Sequence, residues 1–284
     1  MFPVFKTLSF SVTYVQADEN AVKVPHAESF ADDDWDIVIN TLKTGNISPY
    51  EVGDEKEVDL GTFGKHKLRI ANSTTPEECS TEGFSQTACG VVLEFVDIIT
   101  THRMNPYTNG DTTTIGLNSK GGWEYSDMRS YLNSTTYAYE NIDYSTTGIY
   151  SSLPEVIKNA IIDTTVVSGH NKKDTTNFTT TDKLYLLSTH EVWEDVDGNT
   201  SSGIDYYDTA YHNTRQLDYY KGLNVTTSNY SSAIKKDGTT DLFWWLRSAY
   251  STGTSGFNYV NSYGDWSTGN ASSTSGVAPA FRIG

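Results

Sequence analysis

The residues with most chemistry to offer lie between His190 and Asp197. His190, Glu191, Glu194, Asp195 and Asp197 crowd one short stretch. An oxygen-rich set of this kind suits a hard cation such as calcium. With His190 as a base, it also suits a secreted carbohydrate-active or metal-dependent enzyme working through His190, Glu191 and Asp195. The spacing argues the other way. Asp195-x-Asp197-Gly198-Asn199 departs from the helix-loop-helix calcium loop, and acidic turns are common in a chain with Asp+Glu 36 against Lys+Arg 20. His170, in Ser-Gly-His-Asn-Lys-Lys, reads as a loop histidine before it reads as a base. No Gly-rich phosphate loop, Gly-x-Ser-x-Gly elbow or His-Glu-x-x-His motif occurs. No pair of carboxylates stands out for glycoside hydrolysis. The expectation is a protein that is not an enzyme, with no cofactor and no metal.

The other distinctive chemistry is at the C-terminal end, Asp241 to Gly284. Two apolar blocks, Phe243-Trp244-Trp245-Leu246-Arg247-Ser248 and Gly276-Val277-Ala278-Pro279-Ala280-Phe281-Arg282-Ile283, bracket residues 249–275. That interior holds no Lys, Glu, Gln, Met or Pro. The brackets have the aromatic and β-branched content of packed strands. The interior is small, polar and punctuated by Tyr, as binding surfaces are. Trp244 and Trp245 suggest a sugar-stacking platform, but strand neighbours point to opposite faces, so at least one belongs to the core. Arg247, among apolar residues, predicts a buried bidentate contact with a carboxylate, and Arg282 a similar one.

The formal net charge of -16 speaks against nucleic-acid or anionic-membrane partners, which require clustered Lys and Arg. No apolar run is long enough to cross a bilayer, so no membrane insertion is expected. Two cysteines, Cys79 and Cys89, are close in sequence and even in number, which suits one local disulfide in an oxidising compartment. Two free thiols are the plainer alternative. Residues 1–15 alternate apolar and polar like a strand and lack the features of a signal peptide. The composition favours an extracellular or cell-surface part of a longer exported precursor.

The elements that must position these residues follow from periodicity. Residues 1–28 read as a separate strand and linker. From Ser29, the Asp32-Asp33-Asp34 run and the roughly helical spacing of Trp35, Ile37, Val38, Ile39 and Leu42 predict a first helix stopped by Gly45, the acids serving its N-terminus. Strands are predicted over 57–60, 65–71 and 90–100, the last as a central strand. Ser126 caps a second helix carrying Met128, Tyr131 and Leu132 on one face, and Pro154 begins a short third one. Strands follow over 162–167 and 182–188, then a Tyr-rich polar stretch with a helical piece near 215–221.

The pairing of Phe-Trp-Trp-Leu-Arg-Ser-Ala (243–249) with Gly-Val-Ala-Pro-Ala-Phe-Arg-Ile (276–283) resembles C-type-lectin-like domains of bacterial and phage surface proteins, in the formylglycine-generating-enzyme-like branch. Supporting likenesses run through residues 30–45, 52–72, 121–133 and 183–195, so the resemblance covers about 29–284. It implies an α+β, C-type-lectin-like fold with a small antiparallel sheet, two or three short helices and long loops. The sulfatase-activating members need late cysteines, which are absent here. That departure argues against oxidase activity.

The interior also resembles the variable proteins of diversity-generating retroelements, whose adenine-directed diversification yields Asn, Ser, Thr, Gly, Asp and Tyr. That resemblance implies a diversified segment within 249–275. Its outward positions would be Tyr250, Thr252, Thr254, Ser255, Asn258, Tyr259, Asn261, Ser262, Tyr263, Ser267, Thr268 and Asn270. Tyr250, Tyr259, Tyr263 and Trp266 would be aromatic anchors, with Asn258, Asn261 and Asn270 supplying hydrogen bonds. The function expected is a non-enzymatic ligand-binding or adhesion module on a cell or virion surface, meeting a protein or glycan ligand on another cell.

Overall fold

The computed structural model describes residues 26–106, 122–170, 176–196, 208–251 and 253–284. The expected N-terminal strand, Asp197-Gly198-Asn199 and Thr252 lie outside them.

Helix α1 (Trp35–Leu42) forms where the helical period places it, with Val38, Ile39 and Leu42 buried. The acidic run before it acts differently from expectation. Asp34 occupies the cap position without a side-chain cap bond. Asp33 instead accepts from the Glu28 and Ser29 amides and the Tyr50 hydroxyl, tying down the turn that leads into the helix.

Strands β1 (Glu55–Asp59) and β2 (Lys65–Asn72) make a hairpin, and β2 pairs in turn with β3 (Val92–Phe95). The apolar run at 90–100 is not one central strand. The backbone bends at Val96 and Asp97, after which β4 (Thr100–Arg103) belongs to a different sheet. Successive partners explain the division: Phe95 N–H donates to Pro279, Ile98 N–H to Lys236 and Ile99 N–H to Val277. A run rich enough to be buried throughout is thus shared between two sheets.

Helix α2 (Asp127–Leu132) carries the expected cap, the Ser126 hydroxyl accepting from Arg129 N–H at 3.0 Å. The small hairpin β5 (Thr136–Tyr137) and β6 (Ile142–Asp143) precedes α3 (Ile149–Ser152) and α4 (Glu155–Lys158), the latter entered through Pro154. Strands β7 (Thr164–Gly169) and β8 (Asn177–Asp182) form their own antiparallel ribbon. The strand expected over 182–188 does not continue in a ladder beyond Asp182, the last residue of β8. Leu184, Tyr185, Leu186 and Leu187 are fully buried, but their regular pairing is the single bridge from Tyr185 to Ala280. The Asn133 side chain satisfies the Leu184 backbone from outside the run.

Helices α5 (Thr189–Val192) and α6 (Asp218–Gly222) then frame the polar stretch, and β9 (Lys235–Asp237) and β10 (Thr240–Leu242) make a hairpin. The chain ends in β11 (Trp244–Ala249), β12 (Gly256–Val260), β13 (Trp266–Asn270), β14 (Thr274–Val277) and β15 (Ala280–Arg282). The larger sheets have the orders β1-β2-β3-β15 and β13-β12-β11-β14-β4. The first apolar bracket therefore lies at the centre of the five-stranded sheet, while the second is divided, its Gly276 and Val277 beside β11 in that sheet and its Ala280–Arg282 beside β3 in the other.

Among the described residues the architecture comprises six α-helices and fifteen strands in five sheets. This corrects the expected C-type-lectin-like plan of one small antiparallel sheet, two or three short helices and long loops. The physical reason lies in the divided apolar runs, which feed several sheets, and in β14, which runs parallel to β11. One continuous core joins the sheets. Both Trp244 and Trp245 belong to it, at 0% and 1% exposure, so neither is a surface platform. Their ring N–H groups donate to the Ala233 and His102 carbonyls, as buried indoles require. Cys79 and Cys89 are bonded to each other. Closing so short a loop stabilises by about 3 kcal/mol on the chain-entropy account. Among the described residues no helix is long and apolar enough to cross a membrane.

Candidate functional site

The C-terminal sheet begins from an interior clamp. Arg247, fully buried on β11, donates from both terminal nitrogens to the two carboxylate oxygens of Glu191, each at 2.6 Å. The predicted bidentate contact is present, and its partner comes from the cluster that looked catalytic. Glu191 also accepts from Ser188 N–H, completing a capping box at the start of α5, and from the Thr87 and Thr214 hydroxyls. Burial pushes its carboxyl up, but the Arg247 charge and these donors outweigh burial and hold it below the usual glutamate value. Every lone pair of Glu191 is directed to the fold.

The neighbouring residues are committed likewise. Asp195 accepts from Thr227 through both its amide and hydroxyl, and His190 Nδ1 meets the Tyr211 carbonyl at 2.6 Å. Among the described residues no group of three or more His, Cys, Asp or Glu is arranged to hold a metal ion. Asp197 lies outside them. Arg282, expected to imitate Arg247, has no carboxylate partner among the described residues, and burial lowers its pKa from the usual arginine value.

The hairpin β12–β13 sorts the candidate binding residues by face. Tyr259 lies opposite Trp245 on β11 and Ser267 on β13, while Val260 lies opposite Trp244 and Trp266. Alternation along each strand then puts Phe243, Trp245, Tyr259 and Ser267 on one side. Tyr259 rests edge-on against buried Trp245, with centroids 5.6 Å apart, and lies parallel to Phe243 at 5.1 Å and 8°. Phe243 is 42% exposed. The result is a two-ring surface standing on a buried third ring. Gly269 on the adjacent strand makes room for it, since a Cβ there would lie 2.7 Å from Tyr259 Cε1.

Around this pair the loop 261–265 is held rigid. Asn261 Oδ1 accepts from Tyr263 N–H and Asp265 N–H, so the Asn261 amide serves the turn. Gly264 has φ +90° and presses on the Tyr230 carbonyl, where a Cβ would come within 2.1 Å. Tyr263 is carried on this loop at 74% exposure, with half-buried Ser262 beside it.

The other side of the hairpin is interior. Asn258 is fully buried, its amide donating to the Ser248 carbonyl and accepting from Trp266 Nε1, both at 2.9 Å. Thr268 is opposite Asn258. Tyr250 folds over the turn that follows it, its ring against Gly253, with Thr254 half-buried. Ser255 and Asn270 are exposed and share a 3.4 Å contact at the far end of the ladder. The fold thus brings Tyr259, Ser262, Tyr263 and Ser267 to one end with Phe243, and leaves Tyr250, Thr254, Ser255 and Asn270 at the other. Sequence reasoning assigned Phe243 to packing alone. The alternation of Phe243 with Trp245 and its position two residues after acidic Asp241 are the signals for a strand-end ring facing water.

A family model described as "Domain of unknown function (DUF6273)" matches residues 99–284, well over half the chain. No curated protein and no solved structure matches it. These findings, with the five-sheet architecture, overturn the resemblance to C-type-lectin-like domains. They overturn equally the resemblance to retroelement variable proteins. Asn258 and Asn261 show the physical difficulty, because a position whose amide closes a buried or turn-forming bond does not tolerate free substitution.

Proposed function

The chain belongs to the DUF6273 family, and from that premise we propose that it is a non-enzymatic ligand-binding module whose contact surface is the Phe243–Tyr259 pair with the Tyr263 loop. The observation that carries this reading is the contrast between Tyr263, 74% exposed on a loop fixed by Asn261 and Gly264, and the core-bound rings beneath. A large aromatic side chain displayed on rigid backbone binds with little loss of conformational entropy. Commitment of buried Glu191 to Arg247 and of half-buried Asp195 to Thr227 supports the choice of binding over catalysis. The Cys79–Cys89 bond supports an extracellular or cell-surface setting, where disulfides persist.

The test uses a glycan microarray and a displayed random-peptide library as probes. The protein is expected to give specific hits on one of them, and Tyr259→Ala combined with Tyr263→Ala is expected to abolish those hits while the Tm falls by only a few degrees. Hits that survive the double substitution would place the contact surface elsewhere. A large fall in Tm would return both tyrosines to the core.

A further inference from the structure

Beside the exposed ring pair is a cavity of about 360 Å³ whose walls include Thr101, Asp241, Phe243, Ser262, Thr274 and Ser275. Resting on the binding reading above, we propose that this cavity is the principal subsite of the surface and that it takes a neutral sugar ring. It is built where two strands end together: Phe243 leads into β11, and β14 runs parallel beside it with Gly276 against Trp244. Gly276 allows that approach, since a Cβ there would lie 2.7 Å from the Phe243 carbonyl.

The lining matches the two-sided chemistry of a pyranose. One wall is the Phe243 ring, held parallel to Tyr259 at 5.1 Å and therefore fixed in orientation. A sugar offers such a ring its face of C–H bonds. Leu242 and Gly276 add apolar wall beside it, and the rest carries hydroxyls, of which those of Thr101, Ser262 and Thr274 have no partner within the described protein. The Ser275 hydroxyl is turned to the Phe243 carbonyl at 3.3 Å. Hydroxyls both donate and accept, which is what a ring bearing several hydroxyls demands. Asp241 adds one strong acceptor, paired only loosely with Lys236 at 3.4 Å on the exposed rim.

Charge and size narrow the ligand. The single charged wall is the Asp241 carboxylate, offset in part by Lys236, on a chain of net charge -16, so a neutral sugar is favoured over a sialic or uronic acid. About 360 Å³ stands near the lower end of the ~300–1,000 Å³ range of small-ligand pockets, room for one ring with its neighbours extending over Tyr259 and Tyr263. A protein partner would bury a broad, mixed surface of ~1,200–2,000 Å² in total and would not need a row of open hydroxyls around one ring.

Saturation-transfer NMR with glucose, galactose, mannose, N-acetylglucosamine and N-acetylneuraminic acid tests the assignment on the whole chain. At least one neutral sugar is expected to receive saturation at its ring C–H protons. Phe243→Ala is expected to weaken that binding about tenfold, and Asp241→Asn or Thr274→Val to weaken it several-fold. The two rim substitutions are exposed and keep the packing, so they decide the matter even where Phe243→Ala proves unstable. Silence from every neutral sugar, binding of the acidic sugar alone, or neutral-sugar binding indifferent to all three substitutions would overturn the inference. Peptide-library hits that vanish in the Tyr259/Tyr263 variant, with no sugar bound, would remove the sugar subsite and leave the binding surface standing.

Discussion

Arg247 and Glu191 hold each other by two parallel hydrogen bonds of 2.6 Å, with both side chains fully buried. The pair ties the central strand of the five-stranded sheet to the first turn of α5, and Arg247 also donates to the Leu186 carbonyl. Because Glu191 caps α5 from within, a change at either residue is felt by the helix start and by the sheet together.

Removing one partner leaves the other charge buried without compensation, which costs about 3–5 kcal/mol. Arg247→Met and Glu191→Gln are each expected to destabilise the chain by that order, and the double variant by clearly less than the sum. Arg247→Lys is expected to rescue little, because an ammonium cannot reproduce the planar fork. Urea denaturation of the single and double variants checks the coupling.

Acid is expected to act through the same carboxylate and through Glu94. Burial pushes both carboxyls up, while Arg247 beside Glu191, and Arg69 with Lys235 beside Glu94, pull them below the usual value of 4.5. The unfolded chain therefore binds more protons than the folded one once pH falls below about 4.5. Their stabilisation is complete above that value and is lost as pH falls toward the lowered folded values. The urea midpoint is expected to drop as pH falls below about 4.5, and to drop less in Glu191→Gln, which has no proton to gain there.

Much of the local structure was legible because it rests on neighbours in sequence. The Ser126 cap acts on Arg129, and the period of Val38, Ile39 and Leu42 needs only its own helix. The bidentate Arg247 was legible in kind, since a lone cation among Trp and Leu must find a carboxylate, but nothing local designates Glu191 as its partner. The runs at 90–100 and 182–188 misled for one reason: apolar content reports burial, not which ladder accepts the backbone. Leu184 to Leu187 are buried as read, yet the Asn133 side chain and the Ala280 backbone take the place of a regular partner. Strand β8 was invisible because Asn-Phe-Thr-Thr-Thr-Asp looks like a loop until β7 supplies its ladder. Within the site, small polar residues looked alike in sequence, and only tertiary partners separate buried Asn258 from exposed Asn270.

That separation gives a sharp contrast. Tyr263→Ala is expected to change stability by less than about 0.5 kcal/mol, as exposed substitutions do. Asn258→Ala strands the Ser248 carbonyl and the Trp266 ring N–H, at a cost of about 1–3 kcal/mol. Denaturation curves for the two variants side by side decide whether these residues, so similar in local sequence, have the opposite roles assigned to them.

Gly269 supplies the most specific test of how the ring pair is held. A methyl group there would sit 2.7 Å from Tyr259 Cε1 and 3.0 Å from the Trp245 ring. Trp245 is fixed by its bond to the His102 carbonyl, so Tyr259 is the side chain that yields, and its parallel contact with Phe243 is lost. Gly269→Ala is expected to cost about 1–3 kcal/mol from overpacking, and to reduce binding at the surface although residue 269 is not itself a contact. Gly269→Ala combined with Tyr259→Ala removes the closer approach and leaves only the tight contact with Trp245, so its stability is expected to recover part of the way toward that of Tyr259→Ala while binding stays weak. Denaturation together with the array measurement reads both effects, and a Gly269→Ala protein that binds normally would show that Tyr259 need not lie flat against Phe243.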